Sequence, residues 1–298
     1  DGMYERMVYG KEYRDNLRFS RVVENRSGVI AVDAVGTVYG GGVYDGRFSV
    51  DPIHDVNQIW RALAIPAFCP KPEEVLMVGL ASGSWAQIVA NNPEVKRLTI
   101  VEINPGYLPL IREQSEVSSL LTNPKVRIVV DDGRRWMVAN PETRFDLMVM
   151  NTTFHWRAHV SNLLSSDFLE LVRKHLKPGG IVYYNTTWSP RAIATATAIF
   201  PHVLRVGNFI AASDSPISVK RAQWEIALRN YRIDGRPMFD TSVPKHSETL
   251  QSLLNIADTV GHPGTWKRMT EMESEEFVRN RVAGVRLITD DNMGEEWP

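Results

Sequence analysis

The feature that most constrains this sequence is the stretch Val75–Trp85, where an apolar run leads into a turn rich in glycine and serine and then into a helix. Val75 to Val78 are consecutive apolar residues, a pattern typical of a short parallel strand covered on both faces. The turn carries residues that allow tight turns or are expected to cap the helix beginning near Trp85: Gly79, Ser82, Gly83 and Ser84. Such a turn directs backbone N–H groups at a ligand, commonly a nucleotide or nucleoside. A purely structural turn explains the Gly-x-x-x-Gly spacing equally well.

Acidic residues follow the next two predicted strands. Arg97–Asn104 contains Glu102, about 20 residues after the glycines, where a carboxylate can accept both hydroxyls of a ribose. The strand Val126–Val130 is followed by Asp131-Asp132-Gly133, where an acid can accept a hydrogen bond from an adenine amino group. An NAD site does not require this last acidic strand end, so the pattern favours an adenosine compound such as S-adenosylmethionine. The alternative for Asp131 and Asp132 is an exposed turn.

Two further strands complete the predicted sheet. Phe145–Met150 precedes Asn151-Thr152-Thr153-Phe154-His155, and Ile181–Tyr184 precedes a second Asn-Thr-Thr. Between them, Asp167–Leu176 has helical apolar spacing and is expected to end at Lys177–Gly180. Strands that alternate with helices predict an α/β fold, a doubly wound, mostly parallel Rossmann-like sheet with its ligand at the carboxyl ends of the strands.

The flanking regions have different patterns. Residues 1–27 predict an irregular segment or short helix, and Gly28–Phe48 predicts an antiparallel hairpin layer that can cover the strand ends as a lid. Asp51–Phe68 is expected to be helical. We therefore predict an N-terminal hairpin region (1–55), a Rossmann-like domain (56–228) and a C-terminal helical extension (229–298). The extension is expected to contain the helices Ser247–Ile256 and Glu271–Val282 and a solvated acidic tail, 290–296.

Composition excludes several classes of protein. A net charge of −1 and a pI near 6.7 give no electrostatic footprint for nucleic acid. The single cysteine, Cys69, excludes an intrachain disulfide and indicates a reducing compartment. No apolar run approaches the roughly 18–20 residues that span a bilayer. The chain opens Asp1-Gly2-Met3, which is typical of a processed chain or an excised domain. We expect a cytoplasmic protein or the cytoplasmic part of a membrane-anchored one, with a membrane region preceding Asp1 left open.

From Tyr39 to Thr187, and most strongly from Val75 to Asp132, the sequence resembles the spermidine synthase (polyamine aminopropyltransferase) family. The resemblance implies a homo-oligomer that binds decarboxylated S-adenosylmethionine and transfers its aminopropyl group to putrescine, releasing methylthioadenosine. It also implies that Glu102 holds the ribose and that Asp132 with Gly133 holds the adenine. The complete predicted binding set is Gly79, Ser82, Gly83, Ser84, Glu102, Ile103, Asp131, Asp132, Gly133 and Asn151, without a metal.

The sequence departs from the family where the aminopropyl chain and the amine would bind. Ser82 stands in place of an acid in the glycine loop, and Asn151 to His155 replace a segment with two acids. The family's Tyr-His/Gln-Glu element has no clear counterpart. A protonated amine needs a base and carboxylates, and Asn151 can orient a ligand but cannot take a proton. Intact S-adenosylmethionine thus becomes a plausible ligand, with four candidate partners for its carboxylate: Arg61, Arg134, His155 and Arg157.

Intact S-adenosylmethionine suggests a reaction that needs no external base. Its own carboxylate can attack its γ-carbon, expelling methylthioadenosine and leaving homoserine lactone, and intramolecular geometry can lower a barrier by about 7–11 kcal/mol. We therefore predict an S-adenosylmethionine lyase with Asn151, Thr152 and His155 as catalytic residues. The alternatives are aminopropyl transfer, a methyltransferase and a non-catalytic nucleoside-binding domain.

Overall fold

Two β-sheets organise the chain in a computed structural model that describes residues 2–151, 160–262, 264 and 268–292. An antiparallel sheet near the N-terminus contains β1 (Phe19–Asn25), β2 (Gly28–Asp33), β3 (Thr37–Gly40) and β4 (Val43–Arg47). The main sheet contains β5 (Glu74–Val78), β6 (Arg97–Glu102), β7 (Val126–Val130), β8 (Phe145–Met150), β9 (Leu176–Asn185), β10 (His202–Val206), β11 (Phe209–Ser213) and β14 (Met272–Glu273). A short hairpin joins β12 (Arg232–Ile233) and β13 (Arg236–Pro237).

Helices cover both faces of the main sheet. The α-helices in the described part of the chain are α1 (Met3–Tyr9), which contacts the N-terminal sheet, α2 (Trp60–Leu63), α3 (Ile65–Phe68), α4 (Ser84–Ala90), α5 (Tyr107–Arg112), α6 (Gly133–Ala139), α7 (Ser166–Lys174), α8 (Pro190–Ile199), α9 (Arg221–Asn230), α10 (Pro244–Asn255) and α11 (Glu275–Arg281). Short 3-10 helices lie at Gly10–Glu12, Ser118–Thr122, Val160–Leu163 and Ile256–Thr259. None of the helices in these described ranges is long and apolar enough to cross a membrane.

The order of the main sheet places the ligand-binding edge. The strands lie in the order β14-β10-β11-β9-β8-β5-β6-β7, and β5 pairs in parallel with both β6 and β8. Because the chain runs outward from β5 through β6 and β7 and then returns to β8, the carboxyl ends of β5 and β8 form the switch point where such folds bind ligands. The predicted doubly wound, mostly parallel sheet is confirmed, with β11 and β10 added antiparallel beyond β9.

The antiparallel N-terminal sheet is also confirmed, but two neighbouring expectations were wrong. Phe19–Asn25 is a strand rather than an irregular segment, because its β-branched residues pair with β2 across a tight turn. Asp51–Phe68 is not one helix: helical turns begin only at Trp60, where the Asp55 carboxylate accepts the backbone N–H groups of Ile59 and Trp60.

The end of α7 differs in a similar way. Lys177–Gly180 was expected to separate the helix from the next strand, but β9 already begins at Leu176, which pairs with Phe145 of β8. Only Gly179 adopts a left-handed conformation, with φ 76°. The Pro-Gly-Gly segment therefore forms an irregular start of the strand.

The C-terminal region is not purely helical, contrary to the expectation for Glu271–Val282. Met272–Glu273 forms β14, which pairs with β10, and α11 starts at Glu275. Burial of Arg205 on β10 explains the pairing, since its guanidinium donates to the Glu273 carboxylate at 2.7 Å and both side chains are fully buried. A buried cation requires such a partner, so the ion pair fixes this segment against the sheet.

One residue of the acidic tail also departs from expectation, whereas Asp291 is exposed as expected and residues 293–296 lie outside the described part of the chain. Arg134 makes a bidentate pair with the Asp290 carboxylate, at 2.9 and 2.5 Å, and the Ser165 hydroxyl donates to the same group at 2.6 Å. Asp290 is therefore held against α6 and α7 instead of being solvated. The boundaries at residues 55 and 228 remain predictions.

Candidate functional site

A cavity of about 500 Å³ lies at the carboxyl ends of β5, β8 and β9. Residues of the N-terminal sheet and of its connection to α2 close one side, as the predicted lid requires. The lining comprises Tyr44, Asp45, Gly46, Val56, Asn57, Gln58, Arg61, Met77, Gly79, Leu80, Ala81, Ser82, Trp85, Asn151, Asn185, Thr187, Trp188, Asn208 and Met269. Segments from the whole length of the chain therefore meet at the switch point of the sheet.

Backbone strain is concentrated around this cavity. Four lining residues other than glycine have positive φ: Gln58 (52°), Ala81 (49°), Thr187 (51°) and Trp188 (66°). Asp234, in the β12–β13 turn, is the one other such residue in the described part of the chain. Conformations of this kind cost about 1–3 kcal/mol each and accumulate at ligand sites, where the surrounding structure enforces them. Their clustering makes the cavity the candidate functional site, independently of the glycine pattern.

The glycine loop lies at the cavity, but its serines do not cap α4. Gly79 and Ser82 line the cavity, whereas Gly83 and Ser84 lie behind it. The helix is preceded by Gly83 at φ 79° without a side-chain cap, and a Cβ on Gly83 would lie 3.0 Å from Ile111 Cδ1. The Ser84 hydroxyl instead donates to the Arg47 carbonyl at 2.5 Å, which ties the loop to the N-terminal sheet.

Glu102 occupies the predicted position at the end of β6. Its buried carboxylate accepts the Leu80 N–H at 2.6 Å and the Asn104 N–H at 2.7 Å, so it connects the glycine loop to the segment after β6. Burial raises the pKa of this carboxyl above its ordinary value. Ile103, next in the chain, is largely exposed. Neither residue lines the cavity itself.

The acids after β7 already have structural partners. Asp132 is the N-cap of α6 and accepts the Arg135 N–H at 2.8 Å, while Asp131 pairs with the Arg135 side chain. Gly133 is closely packed, because an added Cβ would lie 2.6 Å from Val78 Cγ1. Asp132 is thus a half-buried helix cap with a second oxygen left to accept, and these residues lie at the sheet edge beyond the cavity lining.

Arg61 is the most unusual group in the cavity. Its side chain is 6% exposed, lies over the Phe209 ring at 4.7 Å from the centroid, and donates to the Asn208 Oδ1 and the Gln58 carbonyl. Among the described residues, no carboxylate lies within 4 Å of its guanidinium. Burial lowers the pKa of Arg61 to about 10. The cavity therefore contains a desolvated cation that forms no ion pair with an acid in this part of the chain, although the Asp55 carboxylate acts on it at longer range.

The other candidate partners for a carboxylate differ from Arg61. Arg134 is paired with Asp290 and does not line the cavity, so the expectation that it meets a ligand carboxylate was wrong. Thr152, His155 and Arg157 lie outside the described residues, and their roles stay predictions. Asn151 lines the cavity as expected.

A chain of hydrogen-bonded amides continues from Arg61. Asn208 Nδ2 donates to Asn185 Oδ1 at 2.8 Å, and Asn185 Nδ2 donates to Asn151 Oδ1 at 3.4 Å. Sequence reasoning missed Asn185 and Asn208, as well as Asp45 and Trp188. One signal was present: Asn185-Thr186-Thr187 repeats the Asn-Thr-Thr after β8, and the repeats follow neighbouring parallel strands.

Comparison with known proteins agrees with this geometry. A parallel sheet with a glycine loop and an acid at the end of the next strand defines a Rossmann-like S-adenosylmethionine-binding fold, and the family model for a methyltransferase domain matches residues 75–180. Spermidine synthase from Thermotoga maritima has a TM-score of 0.56 at 14% identity, covering 89% of this chain and 88% of its own. A spermidine synthase in complex with the transition state analogue AdoDATO has a TM-score of 0.56 at 15% identity, covering 78% and 85%.

Curated relatives share sequence similarity with parts of the chain. Polyamine aminopropyltransferase from Mycobacterium tuberculosis (strain H37Rv) is 27% identical over 146 residues, 48% of this chain and 28% of the relative. The enzyme of the same name from Bacillus subtilis is 30% identical over 124 residues, 41% of this chain and 44% of the relative. The chain thus spans less than half of these relatives. The resemblance predicted from the sequence is thus confirmed at low identity: the chain is similar to polyamine aminopropyltransferases and shares the fold of spermidine synthase.

Proposed function

We propose that this chain binds S-adenosylmethionine and cleaves its sulfonium on the aminoalkyl side, releasing methylthioadenosine. The choice of the aminoalkyl side is supported by relatives named polyamine aminopropyltransferase. The small-molecule substrate is supported by a cavity of about 500 Å³ at the sheet switch point. A homo-oligomeric state, implied by the resemblance, is proposed with it.

The observation that carries the choice of intact S-adenosylmethionine is Arg61. A buried guanidinium without a carboxylate partner is costly, and an anionic ligand group would remove that cost. Intact S-adenosylmethionine carries a carboxylate at the end of its aminoalkyl chain, whereas the decarboxylated form ends in an ammonium group alone. A cavity with a buried cation therefore favours the intact form.

The proposed reaction is an intramolecular displacement. A carboxylate oxygen of the substrate forms a bond to its γ-carbon as the bond from that carbon to sulfur breaks, and the electron pair stays on sulfur. The products are neutral methylthioadenosine and homoserine lactone with its ammonium group, so charge and atoms balance. Arg61 would orient the carboxylate and Asn151 would position it, with Thr152 and His155 proposed as further catalytic residues.

The nucleoside would bind along the neighbouring strand ends. We assign the loop Gly79–Ser84 to the sugar and sulfonium region and Glu102 to the ribose hydroxyls, since its ionised carboxylate has lone pairs beyond the two already used. Ile103 would pack on the adenine. Asp131, Asp132 and Gly133 would lie at its amino edge, where the second oxygen of Asp132 can accept a hydrogen bond.

Aminopropyl transfer is the second candidate. It is favoured by Asp45, a carboxylate of the N-terminal sheet that lines the cavity and accepts a hydrogen bond from the Tyr107 hydroxyl. An acid in this position could bind the ammonium group of a diamine. This reaction would use decarboxylated S-adenosylmethionine and would need an amine acceptor, and its rate would rise with pH as the amine loses its proton.

The test is to incubate the protein with S-adenosylmethionine or its decarboxylated form, each with and without putrescine, and to identify products by mass spectrometry. Methylthioadenosine and homoserine lactone from S-adenosylmethionine alone, faster than without protein and than with the Arg61→Met variant, would support the lyase. Methylthioadenosine formed only from the decarboxylated form with putrescine would support aminopropyl transfer. S-adenosylhomocysteine would indicate a methyltransferase, and binding without any product would indicate a non-catalytic domain.

A further inference from the structure

We propose that Arg61 and the backbone N–H of Thr187 together fix the orientation of three amides in sequence, so that Asn151 presents a hydrogen-bond donor to the cavity and the site selects an α-amino acid zwitterion. This inference rests on the proposed function, because it explains how the end of the S-adenosylmethionine chain is recognised. It assigns binding roles to Asn208, Asn185 and Gln58.

The orientation of the amides begins at a group that can only donate. A guanidinium has five N–H donors and no acceptor, so the atom of Asn208 that faces Arg61 must be Oδ1. The Asn208 Nδ2 is then directed at Asn185 Oδ1, at 2.8 Å. If the Asn208 amide were reversed, its Nδ2 donor would face the donor N–H groups of Arg61.

A second anchor fixes Asn185 independently. Its Oδ1 also accepts the backbone N–H of Thr187 at 2.8 Å, and a backbone N–H cannot act as an acceptor. Asn185 Nδ2 therefore faces Asn151 and donates to its Oδ1 at 3.4 Å. Thr187 holds this position in a left-handed conformation, φ 51°, so the strained turn after β9 contributes to the same orientation.

The remaining polar atom of Asn151 is Nδ2. Within the described part of the chain no acceptor pairs with it, and Asn151 lines the cavity. Asn151 therefore offers a donor, which binds a carboxylate and opposes an ammonium group or an amine N–H. Arg61 and Asn151 together form the carboxylate side of the site.

Gln58, which is hydrogen-bonded to Arg61, supplies an acceptor for the ammonium group of the substrate. Gln58 lines the cavity, and its buried Oε1 has no hydrogen-bond partner among the described residues. Its carbonyl accepts from Arg61 Nε at 3.2 Å, which holds the two residues together. A buried unpaired acceptor beside a buried cation is complementary to the opposite charges of an α-amino acid.

A double-mutant cycle between Asn185→Asp and Asn151→Ala tests the inference. An aspartate at 185 can still accept from Asn208 and Thr187, but its other oxygen would force Asn151 to donate to it and to present Oδ1 to the cavity. We measure dissociation constants for S-adenosylmethionine and its decarboxylated form by calorimetry, before measurable turnover. The wild type should prefer the intact form at least tenfold, and Asn185→Asp should remove or reverse that preference.

The cycle distinguishes a reversal of the Asn151 amide from the direct effect of the negative charge added at position 185. If Asn151 transmits the effect, Asn185→Asp should change the preference at least fivefold less in the Asn151→Ala background. An equal change in both backgrounds would mean that the added charge acts alone and would overturn the inference. Methylthioadenosine, which lacks the amino acid chain, should bind all variants equally and thereby reports an intact fold.

A second pair of variants covers the case in which Asn185→Asp does not fold. Lysine at position 61 is, like arginine, a donor without an acceptor, whereas glutamine can do both. Arg61→Lys should retain a preference for the intact form, and Arg61→Gln should lose it; equal preferences would overturn the inference. Preference without methylthioadenosine formation would leave the inference standing and refute the lyase. Methylthioadenosine formation by a protein that binds both forms of S-adenosylmethionine equally would support the lyase and overturn the inference.

Discussion

Replacing Arg61 by methionine should affect ligand binding far more than folding. Burial lowers the pKa of Arg61 from its ordinary value to about 10, which corresponds to roughly 3 kcal/mol against the charged side chain, at about 1.4 kcal/mol per pKa unit. Methionine of similar length would remove that cost. It would also leave Asn208 Oδ1 without its donor, at about 1–3 kcal/mol, and would lose the contact with the Phe209 ring.

These opposing contributions nearly cancel. We therefore expect Arg61→Met to change the free energy of unfolding by no more than about 1 kcal/mol, measured by denaturant titration. Removing one partner of a buried charge pair typically costs 2–5 kcal/mol in binding, so affinity for S-adenosylmethionine should fall about thirtyfold or more. Affinity for methylthioadenosine should be unchanged.

The matched control is Arg97→Met, because Arg97 pairs with Glu74 on the surface and is largely exposed. It should leave both stability and binding close to wild type. A loss of more than about 3 kcal/mol of stability in Arg61→Met would show that the guanidinium is a structural cation, as buried paired arginines are. Unchanged affinity for S-adenosylmethionine would refute its role at the ligand carboxylate.

Three further results are expected. Asp132→Asn keeps an oxygen that can cap α6 but places an amide donor toward the adenine amino group. The melting temperature should stay unchanged, while affinity for methylthioadenosine should fall about tenfold or more. An affinity equal to that of the wild type would exclude a contact between Asp132 and adenine. Because burial raises the pKa of Glu102, the stability contributed by its protonated form should be lost as pH rises through that pKa. Affinity for methylthioadenosine should rise over the same range, because the ionised carboxylate accepts the ribose hydroxyls. In titrations between pH 4 and 8, Glu102→Gln should flatten both trends. Asp290→Ala should lower the free energy of unfolding by about 1 kcal/mol at neutral pH, because Arg134 lowers the pKa of the Asp290 carboxyl, and by nothing once acid protonates that carboxyl. The control is its exposed neighbour: Asp291→Ala should leave the free energy of unfolding unchanged in the same titration.

The central sheet could be predicted because its signals are local. The apolar run Val75 to Val78, the turn glycines and the acid at Glu102 lie close together in the chain, and each reflects backbone geometry that neighbouring residues impose. The prediction was less accurate where tertiary contacts override local pattern. Met272–Glu273 has helical neighbours in sequence, yet it is a strand because Glu273 must pair with the buried Arg205.

The candidate site was predicted in part for the same reason. Gly79, Ser82 and Asn151 line the cavity, and they are residues whose positions follow directly from the ends of predicted strands. Ser84 was expected to cap α4 or to contact the ligand, but it is buried behind the loop, because the Arg47 carbonyl of the N-terminal sheet accepts a hydrogen bond from its hydroxyl. No local pattern marks that contact.

The sequence alone determined the class of this protein: strand periodicity, turn glycines and acids at strand ends all act through short-range backbone geometry. Only the tertiary structure decided what the cavity can recognise. Arg61 and Asn208 are 147 residues apart and meet because β11 joins the sheet beside β9. The orientation of the Asn208 amide depends on that meeting, and the orientation of Asn185 and Asn151 depends also on the Thr187 N–H, since an amide has no preferred orientation until a donor-only partner imposes one.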